Sequence, residues 1–566
     1  MRKKNLFVYA LASLAMFGCS QSNLTDDDDG GKGGGVKGEE AWIVLNVQKS
    51  ISGRALNGND THNGTADEGN VKTVKAIFFN GFSDANIVSD IVDLTMDASG
   101  NAGNPGANDA FKINTNSKSV LIVINPTAAL SSVTKGMSYN AVNKITTASV
   151  DDVTKENGTG NQNYFLMTNS KGGLEPSESD GTDKDISNYL HATKADAEAA
   201  TPLTLKVDRV VSKVRVDAAS ATSDVAAISD IEWTLNVTNK KLFPVSKRLY
   251  SWRETKYGSA IRVWSDQYFL GSYRIDPNYD NALTPWSNQT LYKAEYDYYT
   301  DATSSSITWI KADKTIDSGD SDDNIPNYAY CLENTQNKEG NYYAYSTQAL
   351  LKATFLPKKY AMPNNAADDA DQETSKDWMS INSGFYRYTT LLAWIEAELT
   401  NKYSNVANID NYETKITTAF HTYLSGLGGG ITAPTIMDKA AFEAAGKSAT
   451  EVVADTKAAF AALQTAVEAA TNKSSASTAD VKYYTGGINY YQIMIKHDDT
   501  DEVSNELGEF GVVRNSLYDI TVSKIDNPGT PSIPDPDPNT PDEAKNWLKV
   551  KIEVNPWTWY KQTEIL

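Results

Sequence analysis

Leu548-Lys549-Val550-Lys551-Ile552-Glu553-Val554 is the stretch on which the reading of this sequence turns. Four apolar residues alternate with three charged ones, a period of two that gives a strand one buried and one solvated face. The stretch follows Asn527 to Lys545, NPGTPSIPDPDPNTPDEAK, whose prolines and aspartates predict a stiff, solvated spacer. A strand on such a spacer is bound either by the body of its own chain or by that of a neighbour. The choice separates an ordinary globular protein from a polymer subunit.

At 566 residues the chain is too long for one core, so two or three domains are expected. Asp and Glu number 72 against 52 Lys and Arg, a formal charge of -20, which argues against nucleic acid as a partner because phosphate binding needs the opposite field. Thirty tyrosines, with abundant Thr, Asn and Val, suit strand-rich surfaces, so a mainly β, extracellular protein is predicted. The N-terminus agrees. Arg2, Lys3 and Lys4 precede an apolar run from Leu6 to Phe17, too short to span a bilayer, followed by Gly18 and Cys19. Residues 1–19 therefore read as a lipoprotein signal with Cys19 as the lipidated residue, for which palmitate is the expected acyl group; the other reading is an ordinary secretory signal cut near Gly18. With Cys19 lipidated, Cys331 has no disulfide partner and is expected to be a small buried apolar residue.

Residues 20–40, with Asp26 to Asp29 and a glycine run, predict a flexible tether; the aspartates are better read as a solvated spacer than as a metal site. Order is expected from Trp42. Ile43, Leu45 and Val47 alternate with polar or smaller neighbours, and the strand gives way after Ile51-Ser52-Gly53-Arg54-Ala55 to a loop rich in Asn, Gly, Asp and Thr. Arg54 is the only arginine between the signal and Arg209, among small residues open to a trypsin-like protease. Further strands are predicted at Val71 to Asn80, Ile87 to Met96, Ser119 to Asn125, Tyr164 to Thr168 and twice within Leu203 to Val216, with the turn-separated rhythm of a β-sandwich over 41–218. A second sandwich over 219–526 takes strands near Ile231 to Val237, Gln348 to Leu356, Gly487 to His497 and Ser516 to Ile525.

Residues 385–470 break the β pattern. Leu391, Ile395 and Leu399 share one helical face, Ile416, Phe420 and Tyr423 another, and Val453, Thr456, Phe460, Leu463 and Val467 a third. Ser448 with Glu451 forms a capping box at the start of the third helix. The region reads as a helical insertion, its alanine-rich face either packing on the second sandwich or presented to a partner.

Motifs that carry chemistry are sparse, so the chain is not expected to be an enzyme and no cofactor is implied. The four histidines, His62, His191, His421 and His497, show no metal-ligand spacing, and no phosphate loop or nucleophile elbow follows a strand. Gly428 to Gly430 follows a helix without the Lys-Ser/Thr of a P-loop and reads as a helix stop. Tyr292, Tyr296, Tyr298 and Tyr299, or Tyr483, Tyr484, Tyr490 and Tyr491, either form a sugar-stacking platform or alternate along sandwich strands.

Several strings, in order, resemble one family. These are the lipoprotein signal, Ile51 to Ala55 (ISGRA), Ser119 to Pro126 (SVLIVINP), Tyr164 to Asn169 (YFLMTN), Arg209 to Val216, Tyr330 to Thr335 (YCLENT), Tyr483 to His497, Gly511 to Ile520 (GVVRNSLYDI) and Asn555-Pro556-Trp557. Together they are similar to the Bacteroidales fimbrillins, in particular the Mfa-type shaft subunit, across nearly the whole chain apart from the helical insertion. The resemblance implies two transthyretin-like β-sandwich domains, export to the outer membrane as a lipoprotein, and cleavage after an arginine that removes the lipid and the first strand. It then implies a homopolymer built by donor-strand exchange, alongside anchor and tip subunits, as an extracellular fimbrium serving adhesion, colonisation or biofilm formation. By motif position Arg54 and Ala55 flank the cleavage, Ile43, Leu45 and Val47 belong to the displaced strand within 41–54, and Leu548, Val550, Ile552 and Val554 lie in the donor region 546–566.

The physical arithmetic is compatible with exchange. Four buried aliphatic side chains gain roughly 1.5 to 3 kcal/mol each, about 6 to 12 kcal/mol gross. A spacer over 527–545, extended at about 3.1 Å per residue, reaches about 60 Å, against a radius of gyration of about 15 Å for a domain of this size. A head-to-tail contact of this kind grows a filament rather than closing. Against this stand a surface glycan-binding lipoprotein, which accounts for the aromatics but not for the tail, and a tip or minor adhesin, which has little use for a donor strand.

Overall fold

Alternating strands at both ends of the chain need sheets to enter, and the computed structural model shows which sheets take them. It describes residues 40–49, 67–83, 85–96, 101–103, 109–145, 149–154, 156–157, 162–169, 185–245, 276–279, 294–301, 306–313, 327–335, 342–361, 367–369, 376–381, 384–404, 415–432, 437–497, 510–538 and 558–565. These belong to one unit that begins at Glu40.

The first half is built from β1 (Glu40–Ile43), β2 (Leu45–Lys49), β3 (Val74–Phe79), β4 (Val88–Met96), β5 (Asn101–Gly103), β6 (Phe111–Asn114), β7 (Ser119–Ile124), β8 (Met167–Asn169) and β9 (Leu203–Arg209). Seven of them form a closed sheet in the order β8-β9-β2-β5-β4-β3-β7, with β7 pairing back to β8, while β1 pairs with β6. The continuous apolar run SVLIVI of β7 is buried at every position, as expected of a strand covered on both faces. It packs with Ile77, Phe78 and Phe79 of β3 and with Phe165 and Leu166 in the first core.

The second half is a two-sheet sandwich. One sheet has the order β13-β10-β19-β20, from β10 (Val211–Asp217), β13 (Tyr328–Leu332), β19 (Ser516–Lys524) and β20 (Thr558–Ile565). The other has the order β12-β11-β14-β18, from β11 (Ala226–Asn236), β12 (Ile310–Lys311), β14 (Gln348–Pro357) and β18 (Ile488–Met494). Val214, Val216, Tyr518, Ile520 and Val522 of one face meet Trp233, Leu351, Phe355 and Ile493 of the other. Cys331 lies in this core, and burial pushes its thiol up to about 12. The handover between the halves falls at the buried Val210, so Val211–Asp217, expected in the first sandwich, is a strand of the second.

The insertion has its own core. Helices α2 (Tyr388–Ser404), α3 (Lys415–Leu427), α4 (Lys439–Ala444) and α5 (Ala449–Ala469) pack with a small sheet of β15 (Trp378–Ile381), β16 (Gly384–Arg387) and β17 (Val481–Tyr484). The sequence pattern places residues from Phe385 in the helical region, but Phe385 lies in β16, opposite Ser380 of β15. The capping box of Ser448 and Glu451 is present, and the buried face of α5 runs through Val452, Thr456, Phe460, Leu463 and Val467, with Val452 rather than Val453 at its first position. That face packs on α2 and the small sheet instead of the second sandwich. Gly428, at φ +64°, ends α3 in the left-handed region that favours glycine.

Candidate functional site

The first two strands are inserted elements. β2 lies between β9, to which it runs parallel with Leu45 opposite Leu203 and Val47 opposite Leu205, and β5, to which it runs antiparallel. β1 pairs with a different strand, β6, so the two together enter two sheets. Ile43, Leu45 and Val47 are each 0% exposed in the first core, and fully burying three such side chains gains roughly 4 to 9 kcal/mol gross. Trp42 holds the other side. Its backbone exchanges hydrogen bonds of 2.8 and 2.9 Å with His191, and its ring packs with Val44, Ala110 and Ala197. Lys112 Nζ lies 5.4 Å from the ring centroid and 2.7 Å from the Glu40 carboxylate.

The candidate cleavage residues Arg54 and Ala55 fall outside the described residues, as does Cys19. Residues 67–73 are pinned from two directions. Asn125, itself at φ +51°, accepts from the Lys72 amide at 2.8 Å and donates to the Asn70 carbonyl at 2.8 Å. Glu68, 1% exposed, accepts from Lys213 Nζ at 2.6 Å and from the Tyr330 hydroxyl, while its carbonyl accepts from Arg209 Nε at 2.9 Å. Burial alone would raise the Glu68 carboxyl, but the Lys213 and Arg209 cations outweigh it and hold the group below its usual range. Lys213 also sits 3.9 Å from the Tyr328 ring centroid. Glu68 thus ties the chain just beyond the candidate cleavage to β10 and β13 of the second half.

At the other end the donor candidates Leu548, Val550, Ile552 and Val554 lie outside the described residues. The strand beyond them does not. β20 runs parallel to β19 from Ser516 opposite Thr558 to Lys524 opposite Ile565, so the end of the chain is docked on its own second half. The expectation of a free spacer over 527–545 is corrected as far as residue 538. Thr530 and Tyr490 exchange backbone bonds of 2.9 Å, Tyr484 and Tyr491 hydroxyls donate to the carbonyls of Gly529 and Asn527, and Ile533 is buried against Leu350 and Tyr490. Gly529 is required there, since a Cβ would meet the Tyr490 carbonyl oxygen at 2.3 Å. Prolines set the direction of this segment, but its apolar residues and tyrosine hydroxyls fasten it.

The same contacts answer the aromatic question. Tyr296, Tyr483, Tyr484, Tyr490 and Tyr491 are buried, Tyr484 stacking on Trp378 at 3.9 Å, so these rings are core and fastening groups and not an open platform. Tyr292 lies outside the described residues. The Gly511 to Ile520 motif carries a buried pair that the sequence pattern did not single out: Arg514 donates to Glu333 and to the carbonyls of Pro244 and Phe243 at 2.7 and 2.8 Å. No helix among the described residues is long and apolar enough to cross a membrane.

Residues 482–563 match the family model described as major fimbrial subunit protein type IV, fimbrillin, C-terminal. No curated protein matches the chain. Similar solved structures include a fimbrilin (FimA) from Porphyromonas gingivalis W83 at 12% identity, with 93% of this chain and 96% of that chain covered and a TM-score of 0.31. The tip fimbrial protein Mfa3 from Porphyromonas gingivalis is 12% identical, covering 58% and 85%, with a TM-score of 0.26. A fimbrial assembly protein from Parabacteroides distasonis is 10% identical, covering 58% and 88%, at 0.21. Structural likenesses this distant carry no argument, and the weight rests on residues 482–563.

Proposed function

We propose that this chain, whose residues 482–563 match the fimbrillin C-terminal family model, is a shaft subunit of a cell-surface fimbrium that polymerises by strand exchange. In this reading it is exported as a lipoprotein on Cys19, and an Arg-specific protease cuts after Arg54, releasing the plug of β1 and β2. The vacated slot between β9 and β5 is then filled by Leu548 to Val554 of a second copy. The observation that carries the reading is the plug itself: three fully buried side chains in a segment that ends before Arg54, the one arginine of the sequence between the signal and Arg209. An open slot with two unpaired edges is a state soluble proteins avoid, which supplies the drive for refilling.

Donation also requires movement. Only residues 555–557 separate Val554 from β20, a span of about 10 Å, so a tail seated in a neighbour cannot leave β20 on its own β19 unless the two bodies are in contact there. Release of β20 is therefore part of the proposed assembly step. From the docked residue 538 to residue 547 the chain reaches at most about 28 Å, about half the reach expected from sequence.

Limited trypsin treatment of the purified chain, followed by mass spectrometry and electron microscopy, tests the reading. Cleavage after Arg54 with filament growth is expected; a chain cut there that stays monomeric contradicts it. Ile552→Asp is expected to leave the uncut chain folded and to block growth, because it buries an unpaired charge. A tip or anchor role instead predicts binding to the end of a pre-formed filament without self-assembly.

A further inference from the structure

The plug and the tail are spelled alike. From Trp42 the plug reads Trp42-Ile43-Val44-Leu45-Asn46-Val47-Gln48-Lys49, and from Trp547 the tail reads Trp547-Leu548-Lys549-Val550-Lys551-Ile552-Glu553-Val554. Laid in the same direction, the fully buried Ile43, Leu45 and Val47 match Leu548, Val550 and Ile552. The half-buried Asn46 matches Lys551. Laid in the opposite direction the apolar positions still alternate, with Val554, Ile552 and Val550 at the three sites, but no tryptophan falls on Trp42.

Trp42 occupies a site of its own, and most of that site stays behind when the plug leaves. Ala110, Ala197, the Lys112 cation over the ring and the paired backbone of His191 all belong to the body after Arg54. We infer that the tail of a second copy of this chain enters the slot in the same direction as the plug, with Trp547 seated where Trp42 was and Val550 opposite Leu203. The inference rests on the strand-exchange reading and adds its direction, its register and its anchor. Carrying the β2 ladder over, Lys551 lies opposite Thr204, Ile552 opposite Leu205 and Glu553 opposite Lys206. The last of these sets a carboxylate across from an exposed lysine where the plug has glutamine.

An alternating strand alone fixes its register weakly, since a slip of two residues keeps every apolar side chain on the same face. One large aromatic in one pocket removes that freedom, which gives the tryptophan a purpose that a further aliphatic residue would not serve. The one departure is Lys549 at the place of Val44, which is 8% exposed beside Ala110 and Ala197. A lysine stem covers the same alanines, and its ammonium has Asp109 and Glu198 nearby, both partners of Lys194.

Paired cysteines read the direction. The full chain carrying Lys206→Cys with Glu553→Cys, cut after Arg54, assembled, oxidised and boiled in SDS without reductant, is expected to give covalent ladders. Adjacent strands lie about 4.8 Å apart, within disulfide reach, and Cys331 is buried. Lys206→Cys with Lys549→Cys, the pair that the opposite direction brings together, is expected to give none. Ladders from the second pair alone, or filaments in which neither pair cross-links, overturn the inferred register while leaving strand exchange standing; failure of the cut parent chain to form filaments overturns both. Trp547→Ala is expected to slow assembly of the cut chain at least tenfold, with Trp547→Phe recovering most of the rate. Unchanged assembly of Trp547→Ala overturns the anchor.

Discussion

β2 and β20, near the two ends of the chain, both run parallel to the strand that receives them, yet they are held in different ways. β2 has a ladder on each side and puts Leu45 and Val47 into the first core, whereas β20 has a ladder to β19 alone among the described residues. Taking β2 out therefore uncovers a core, and taking β20 off uncovers a sheet edge. A strand inserted this deeply leaves only if its connection is cut, while a strand docked at an edge can exchange without covalent change. In the proposed strand exchange, the irreversible step is then expected on the N-terminal side and the reversible one on the C-terminal side.

Substitutions around each strand can break or sharpen that contrast. The largest effect is expected at Glu68, where Glu68→Ala leaves Lys213 buried without its carboxylate partner and lowers unfolding stability by about 3 to 5 kcal/mol in cut and uncut chains alike. Leu45→Ala is expected to cost the uncut chain about 2 to 5 kcal/mol in denaturant unfolding and to leave the cut chain unaffected, because the residue has gone. An equal loss in both would mean that the plug stays after cleavage. Acid acts on both chains through the second half. His497, buried and sharing a 2.8 Å hydrogen bond with Tyr518, has its imidazole pushed down to about 3 by burial. Its folded value is depressed, so its contribution is complete above the unfolded value near 6.5 and is lost as pH falls toward 3, at up to about 1.4 kcal/mol per pH unit. Glu68, also depressed, weakens with acid in the same sense. Thermal melts from pH 7 to 4 check this slope, which His497→Gln should flatten. Ending the chain at Trp557 removes the β20 ladder, which at about 0.5 to 1.5 kcal/mol per hydrogen bond opposes the release step, so faster assembly is expected by light scattering. Slower assembly would show that β20 serves the filament.

Much of the fold was legible because strands announce themselves by period and by runs. SVLIVI, LTLKVDR and VSKVRVD became strands within a residue or two of their expected ends. The helical faces of Leu391, Ile395 and Leu399 and the capping box of Ser448 were equally plain. What escaped depends on long-range contact. Glu68 sits in a polar loop with no periodicity, and its worth appears only when Lys213 and Tyr330 arrive from 145 and 262 residues away. The docking of residues 527–538 escaped because proline-rich composition signals stiffness and says nothing about the tyrosine hydroxyls of β17 and β18 waiting for carbonyls. The charges of Arg209, Lys213 and Arg215 within apolar strands were the available sign that a buried network lay between the halves. Of the candidate site, the plug residues were legible by alternation, whereas their two separate ladders were not.

Hydrogen exchange at β9 tests the central claim most directly. Its amides within Leu203 to Val207 that face β2 are expected to be protected in the uncut chain, to exchange rapidly in freshly cut monomer, and to be protected again in filaments, where a second copy's tail replaces β2. Rapid exchange along β9 in filaments formed by the cut chain would contradict the account, since it would mean that subunits join without filling the slot the plug has left.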